Sequence, residues 1–301
     1  MDITSYLQEE KKKIDSYLER IVSSAGRTDR SEKELVEAMS YSLSAGGKRL
    51  RPILAVACYR ACGGPVEADP YPAACALELI HTYTLIHDDL PVMDDDDYRR
   101  GLPTCHRKFG VRRAMLAGAG LLMAAFEELD RSAESMGLSG AEKAGIISSV
   151  AQAAGGGGVV GGQVVDLESE RKEVGRDTLA YIHSHKTAAL IRVSCTLGGG
   201  LARADKQKVT GLAAYGEGIG LAFQIVDDLL NVEGEFQQLG KDVGSDQARG
   251  KATFPALYGI AESRHLARAA VEKAKAELKR AGINRDQVLA AIADFIVERK
   301  S

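Results

Sequence analysis

The chain has 301 residues, 45% hydrophobic and 27% charged, with a formal net charge of -3. That is enough apolar material for a full core and argues against disorder. The near-neutral balance gives no global basic field for nucleic acid, so an anion site must be a local gathering of Lys and Arg.

Apolar residues recur at helical spacing nearly everywhere and period-two runs are scarce, which predicts an all-α fold. No proline lies between Pro103 and Pro255, so long uninterrupted helices are permitted there. In chain order the pattern predicts helices over 3–24, 31–45, 50–62, 71–93, 108–136, 140–170, 176–202, 206–234, 252–263, 264–281 and 284–299. Ser31 and Glu34 read as a capping box. With no internal repeat and no Pro/Ser-rich linker, the expected architecture is one domain, 1–301, a single bundle of about ten or more helices.

The N-terminal pattern Ile3, Leu7, Ile14, Leu18, Ile21 carries Lys11, Lys12 and Lys13 and lacks the apolar core of a signal peptide. The longest uncharged stretch, Ala144 to Val165, is interrupted by glycines and reads poorly as a membrane span. Cys58, Cys62, Cys75, Cys105 and Cys195 are odd in number and lack CxxC spacing, which suits thiols in a reducing compartment. The expectation is a cytoplasmic protein with no membrane insertion and no nucleic-acid partner.

Two acidic clusters carry the chemistry. Asp88-Asp89-Leu90-Pro91-Val92-Met93-Asp94-Asp95-Asp96-Asp97 puts six carboxylates into ten residues at the end of an apolar helix. His81 and Asp88 share one face of that helix, with Thr84 between them. An ideal helix would hold Asp88 and Asp94 about 120° apart, but Pro91 removes a donor and should bend the chain so that Asp88, Asp89 and Asp94 converge. Hard oxygen ligands without His or Cys favour Mg²⁺, which characteristically shares substrate phosphates. Taken alone, such a run is more often a solvated turn. In the second cluster Gln224, Asp227, Asp228 and Asn231 form one polar stripe on an otherwise apolar helix, where carboxylates are costly unless paired or metal-bound. Two Asp pairs on long helices suit a polyphosphate clamped through Mg²⁺.

The basic residues are equally local: Lys48, Arg49 and Arg51 after Gly46-Gly47, then Arg99-Arg100, Lys186-Thr187, and Lys241 and Lys251 around a glycine-bearing loop. Singly each reads as surface solvation; together with the Asp pairs they suggest two anionic groups side by side. The run Gly155 to Gly162 lacks the Gly-Lys-Ser/Thr ending of a nucleotide loop. His183 and His185 have no readable catalytic context.

The residues Gly46 to Pro52, Leu85 to Thr104, Gly161-Gly162-Gln163, His185-Lys186-Thr187, Phe223 to Asn231, Gly240-Lys241 and Lys251-Ala252-Thr253 resemble, in this order, the trans-polyprenyl diphosphate synthases of the bacterial farnesyl diphosphate synthase type. The resemblance implies a helical bundle around a central cavity, usually a homodimer, joining isopentenyl diphosphate head to tail to an allylic diphosphate. It implies that Asp88 and Asp94, with Asp89, and Asp227, with Asp228, bind Mg²⁺ on the allylic diphosphate, with three ions per active site. Arg99, Lys186 and Lys241 would contact that diphosphate with Lys251 nearby, and Lys48, Arg51, His81 and Arg100 would hold isopentenyl diphosphate. Thr187 and Gln224 are candidates to present oxygen dipoles to a carbocation, and the released diphosphate would take the final proton.

The resemblance also makes Tyr83 the floor of the product cavity and the product farnesyl diphosphate, although helical spacing alone places Thr84 nearer the Asp88 face. Geranylgeranyl diphosphate synthase is the alternative, and a non-catalytic regulatory subunit or a terpene cyclase are readings from other classes. Two positions depart from the family pattern: Asn231 and Ala119 stand where Asp is usual.

Overall fold

The computed structural model describes residues 2–25, 30–170, 172, 174–233, 253–283 and 287–299. Lys241 and Lys251 lie outside them. Each helix forms where apolar spacing gives it a face to bury. In α1 (Ile3–Ala25), Ile14, Leu18 and Val22 recur every fourth residue and are all buried. In α4 (Tyr71–Asp88) almost every residue from Ala73 to Ile86 is buried, so the helix has no solvent face. Pro72 sits in its first turn, where no donor is lost.

The chain forms two compact units. The first comprises Met1–Ile53 and Glu67–Lys143. It contains α1, α2 (Arg30–Ser44), the start of α3 (Leu50–Ala61), α4, a minimal antiparallel hairpin of β1 (Tyr98–Arg99) and β2 (Leu102–Pro103), α5 (Cys105–Phe109) and α6 (Val111–Ser135). Helices α1, α2 and α6 pack around α4.

The second unit comprises Leu54–Val66 and Ala144–Ser301. It holds most of α7 (Gly140–Ala154), then α8 (Val159–Ser169), α9 (Arg176–Ile182), a π-helical turn (His183–Ala188), α10 (Ala189–Leu201), α11 (Lys206–Glu233), α12 (Phe254–Tyr258), α13 (Ile260–Arg280) and α14 (Gln287–Glu298). Its centre is α11, contacted by α10, the π-turn, α12, α13 and α14. Among the described residues α11 is the one helix long and apolar enough to cross a membrane, and half of that window is buried in the fold. All five cysteines are thiols rather than disulfides.

The all-α expectation holds, with informative local differences. The helix expected over 71–93 stops at Asp88: the Met93 and Asp95 N–H groups turn back to the Leu90 carbonyl, and Asp94 N–H bonds the Asp88 carbonyl at 2.8 Å. Pro91, with no donor, ends the ladder there. The span 140–170 breaks at Gly155–Gly158, and 176–202 is interrupted by the π-turn. The break expected after 263 falls instead at Gly259, whose φ of 79° favours glycine. Helix α2 already begins at Arg30, and Glu34 pairs with Arg113 at 2.6 Å, so the capping box at Ser31 is not where the helix starts.

Candidate active site

In the first unit the aspartates separate by exposure. Asp88 closes α4 and Asp94 folds back onto it, both half-buried. Asp89 is only 3% exposed and accepts from Arg99 Nε at 2.6 Å, while Arg99 Nη2 reaches Asp96 at 3.1 Å. Burial pushes the Asp89 carboxyl up to about 6 against the pull of Arg99, helped by the neighbouring Asp96 and Asp94 charges. Asp97 pairs with Arg107 at the surface and Asp95 is exposed. The six carboxylates therefore resolve into two accessible ones, one locked by an arginine, and three at the rim.

His81 lies two turns before Asp88. Burial, then the positive charges of Arg51, Arg100, Arg99 and Arg49, hold its pKa well below the usual histidine range, so the ring is neutral at pH 7 with four guanidinium groups around it. Arg100 donates to the Gly46 carbonyl, and its guanidinium fills the space beside Gly47, where a Cβ would come within 2.8 Å of Arg100 Cζ. Lys48 is exposed on the same loop and Arg51 half-buried at the start of α3. Tyr83 is buried and meets the His87 ring edge-on at 5.5 Å. The Thr84 hydroxyl donates back to the His81 carbonyl at 2.8 Å within α4.

The second unit repeats the division of labour. Asp227 has a side chain 44% exposed, with Arg299 Nη2 at 2.5 Å. Asp228 is 3% exposed; its Oδ1 accepts from Gln224 Nε2 at 2.8 Å and its Oδ2 from the Phe254 N–H at 2.9 Å. Gln224 in turn accepts from the Thr187 hydroxyl at 2.6 Å, so Thr187, Gln224, Asp228 and the start of α12 form one hydrogen-bonded chain. The Gln224 oxygen is thus engaged by the Thr187 hydroxyl, which as the donor keeps its own oxygen lone pairs. Asn231 is buried with Nδ2 unpartnered among the described residues.

The π-turn supplies Lys186, which reaches Asp166 on α8 at 2.5 Å. Such turns, one residue wider than an α-turn, are frequent at functional sites. His183 in the same turn stacks on Phe254 at 5.1 Å, and burial holds its pKa down at about 4. Gln163 is only 6% exposed, yet both atoms of its amide lack a protein partner among the described residues, as befits a group waiting on water or ligand.

The structure thus brings His81, Arg51, Arg99 and Arg100 together, and separately Thr187, Gln224 and Asp228. It adds Arg49, Gln163, Asp166, His183 and Arg299 as residues bonded to or buried beside the expected ones. Asp166 had a sequence signal: Gln163 and Asp166 are the polar positions, three apart, of an otherwise apolar helical run. Arg299 had none, since an arginine in a final helical turn reads as surface charge.

The donor set suits Mg²⁺. Asp88 and Asp94 in the first unit, and separately Asp227 in the second, offer hard carboxylate oxygens, and among the described residues no three His, Cys, Asp or Glu side chains gather closely enough to hold an ion alone. A site of that kind is completed by substrate phosphates and water.

Asp pairs and a cationic cluster on an all-helical scaffold define the class of helical prenyl-transferring enzymes. The chain belongs to the polyprenyl synthetase family, whose model matches residues 32–289. It is 46% identical over 269 residues to the farnesyl diphosphate synthase of Escherichia coli, covering 88% of this chain and 89% of that one. It is 42% identical over 301 residues to the geranylgeranyl diphosphate synthase of Cyanophora paradoxa, covering 100% and 97%. The crystal structure of an FPP/GFPP synthase from Zymomonas mobilis superposes with a TM-score of 0.82 at 35% identity, covering 97% of this chain and 99% of that one.

Proposed function

We propose that the protein condenses isopentenyl diphosphate with dimethylallyl or geranyl diphosphate to give farnesyl diphosphate. The observation that carries this reading is the split in burial within each Asp pair: Asp89, held by Arg99, and Asp228, held by Gln224 and the Phe254 N–H, are buried, while Asp88, Asp94 and Asp227, the last paired with Arg299, keep solvent-accessible surface. Those three would hold Mg²⁺, with Asp89 and Asp228 beside them completing each pair. When bound there, Mg²⁺, three ions by the family resemblance, would supply charge neutralisation for the leaving diphosphate.

The chain's own groups do the rest. Arg99, Lys186 and Lys241 bind the allylic diphosphate, with Lys251 close by, and stabilise its growing charge. Lys48, Arg51, Arg100 and neutral His81 hold isopentenyl diphosphate, so that its double bond is positioned to attack the allylic carbon. Thr187 turns an oxygen dipole toward the positive carbon and Gln224 holds Thr187 in place. No side chain is needed as the final base, because the departing diphosphate accepts the proton.

Tyr83, buried on α4 one turn before His87, limits chain length and favours farnesyl over geranylgeranyl product. Val111, Met115, Leu116 and Met123 leave an exposed apolar stripe on α6, and a second copy of the chain covers it as a homodimer. We place the protein in the cytoplasm and treat both units as one functional domain, since the family match runs through both. Purified protein given Mg²⁺, labelled isopentenyl diphosphate and geranyl diphosphate should form farnesyl diphosphate; a geranylgeranyl product would instead support the alternative.

A further inference from the structure

The loop before α3 holds a residue that the reaction does not call for. Arg49 lies between Lys48 and Arg51, yet it is 4% exposed and points into the first unit. Its Nε donates to Asp15 on α1 at 2.8 Å, its Nη1 to Glu78 on α4 at 2.8 Å, and its Nη2 to the Leu43 carbonyl at 2.5 Å. The Leu43 carbonyl belongs to the last turn of α2, where helices leave acceptors unsatisfied. Glu78 is itself 1% exposed and stands one turn before His81 on α4.

The backbone accepts strain to make this possible. Gly46 and Gly47 have φ of 87° and 128°, and Arg49, a residue with a Cβ, has φ of 51°. A left-handed arginine persists only where its surroundings over-determine it. Here that conformation sends the Arg49 fork inward and leaves Lys48 exposed and Arg51 half-buried on either side. Burial works against the charge of Arg49, but Glu78 and Asp15 outweigh it and the guanidinium stays ionised.

We infer that Arg49 is the positioning residue for the isopentenyl diphosphate site: it ties α1, α2 and α4 to the loop that carries Lys48 and leads directly into the first turn of α3 with Arg51, and so fixes both in register with His81. The inference rests on the reading of Lys48, Arg51, Arg100 and His81 as that site. A planar fork with several donors is required, which lysine does not provide.

Two readouts test it. The first is binding of inorganic pyrophosphate in EDTA, followed by calorimetry, where carboxylate-held metal makes no contribution. Arg49→Met should weaken that binding about tenfold, and Arg49→Lys nearly as much, whereas Glu78→Gln, which keeps an oxygen for Nη1, should change it less than threefold. The second is steady-state kinetics: Arg49→Met should raise KM for isopentenyl diphosphate about tenfold and leave KM for geranyl diphosphate within twofold. Where Arg49→Met does not fold, Asp15→Asn weakens only the half-exposed arm and should raise the isopentenyl diphosphate KM two- to fivefold. Pyrophosphate affinity equal to wild type in a folded Arg49→Met protein, or in Asp15→Asn with an unchanged KM, overturns the inference. Wild type that binds pyrophosphate but forms no prenyl product overturns the proposed reaction and leaves Arg49 to be judged by binding alone.

Discussion

Replacing Gly162 by alanine should damage catalysis far more than its single methyl suggests. A Cβ at Gly162 would lie 2.3 Å from Lys186 N, 2.8 Å from Lys186 Cα and 2.9 Å from His185 C, all of them backbone atoms of the π-turn. Carbon contacts settle at about 3.5–4 Å, so α8 or the π-turn must retreat by roughly 1 Å. Overpacking of this kind destabilises by about 1–3 kcal/mol. The displaced residues are those that place Lys186 against Asp166 and Thr187 against Gln224. A misplacement of ~1 Å at reacting groups lowers rate on the order of 100-fold. Gly156, in the same glycine-rich run, has nothing within 4 Å of the corresponding position, so Gly156→Ala serves as the control. Thermal melting and single-turnover product formation read both effects. A Gly162→Ala enzyme with the melting temperature and rate of Gly156→Ala would refute the packing argument.

Further outcomes follow from the geometry. Tyr83→Ala opens space beside His87 and should lengthen the product, read by chromatography of the dephosphorylated prenols; an unchanged length distribution would count against Tyr83 as the cavity floor. Asp88→Asn should need more Mg²⁺ for half-maximal activity, read by titrating Mg²⁺ at saturating substrates. Asp89→Asn, which removes the buried one of the two carboxylates paired with Arg99 and leaves Asp96, should lower stability by about 1–3 kcal/mol by urea titration. His183, buried neutral with a pKa of about 4 against ~6.5 unfolded, binds fewer protons in the folded state between those values. Its contribution is therefore full above pH 6.5 and is lost as pH falls toward 4, by about 3 kcal/mol in total. His183→Phe, which keeps the stack on Phe254, should flatten that part of the stability profile, and an unaltered slope would show that other groups set it.

Much of this molecule was legible from its sequence because helices write their faces at fixed spacing. Pro91 announced the turn that returns Asp94 to Asp88, and the hydrogen bond between their backbones is what that proline implied. The polar stripe of Gln224, Asp227, Asp228 and Asn231 announced the second site. What spacing could not reveal was which carboxylate of each pair is buried. Arg99 takes Asp89 through a hairpin turn, and the Phe254 N–H reaches Asp228 from 26 positions away in the chain. Arg49 was hidden for the same reason, since its acceptors Asp15 and Glu78 lie 34 and 29 positions distant. The π-turn at His183–Ala188 also left no mark, because one extra residue in a helical turn does not change the apolar period enough to be seen.

The most direct test of the account is incubation of the purified protein with Mg²⁺, labelled isopentenyl diphosphate and, in parallel, dimethylallyl and geranyl diphosphate, scoring both prenyl product and released diphosphate. Farnesyl diphosphate is expected from either primer, with one diphosphate released per condensation and no product in EDTA. Absence of both prenyl product and released diphosphate with either primer would contradict it.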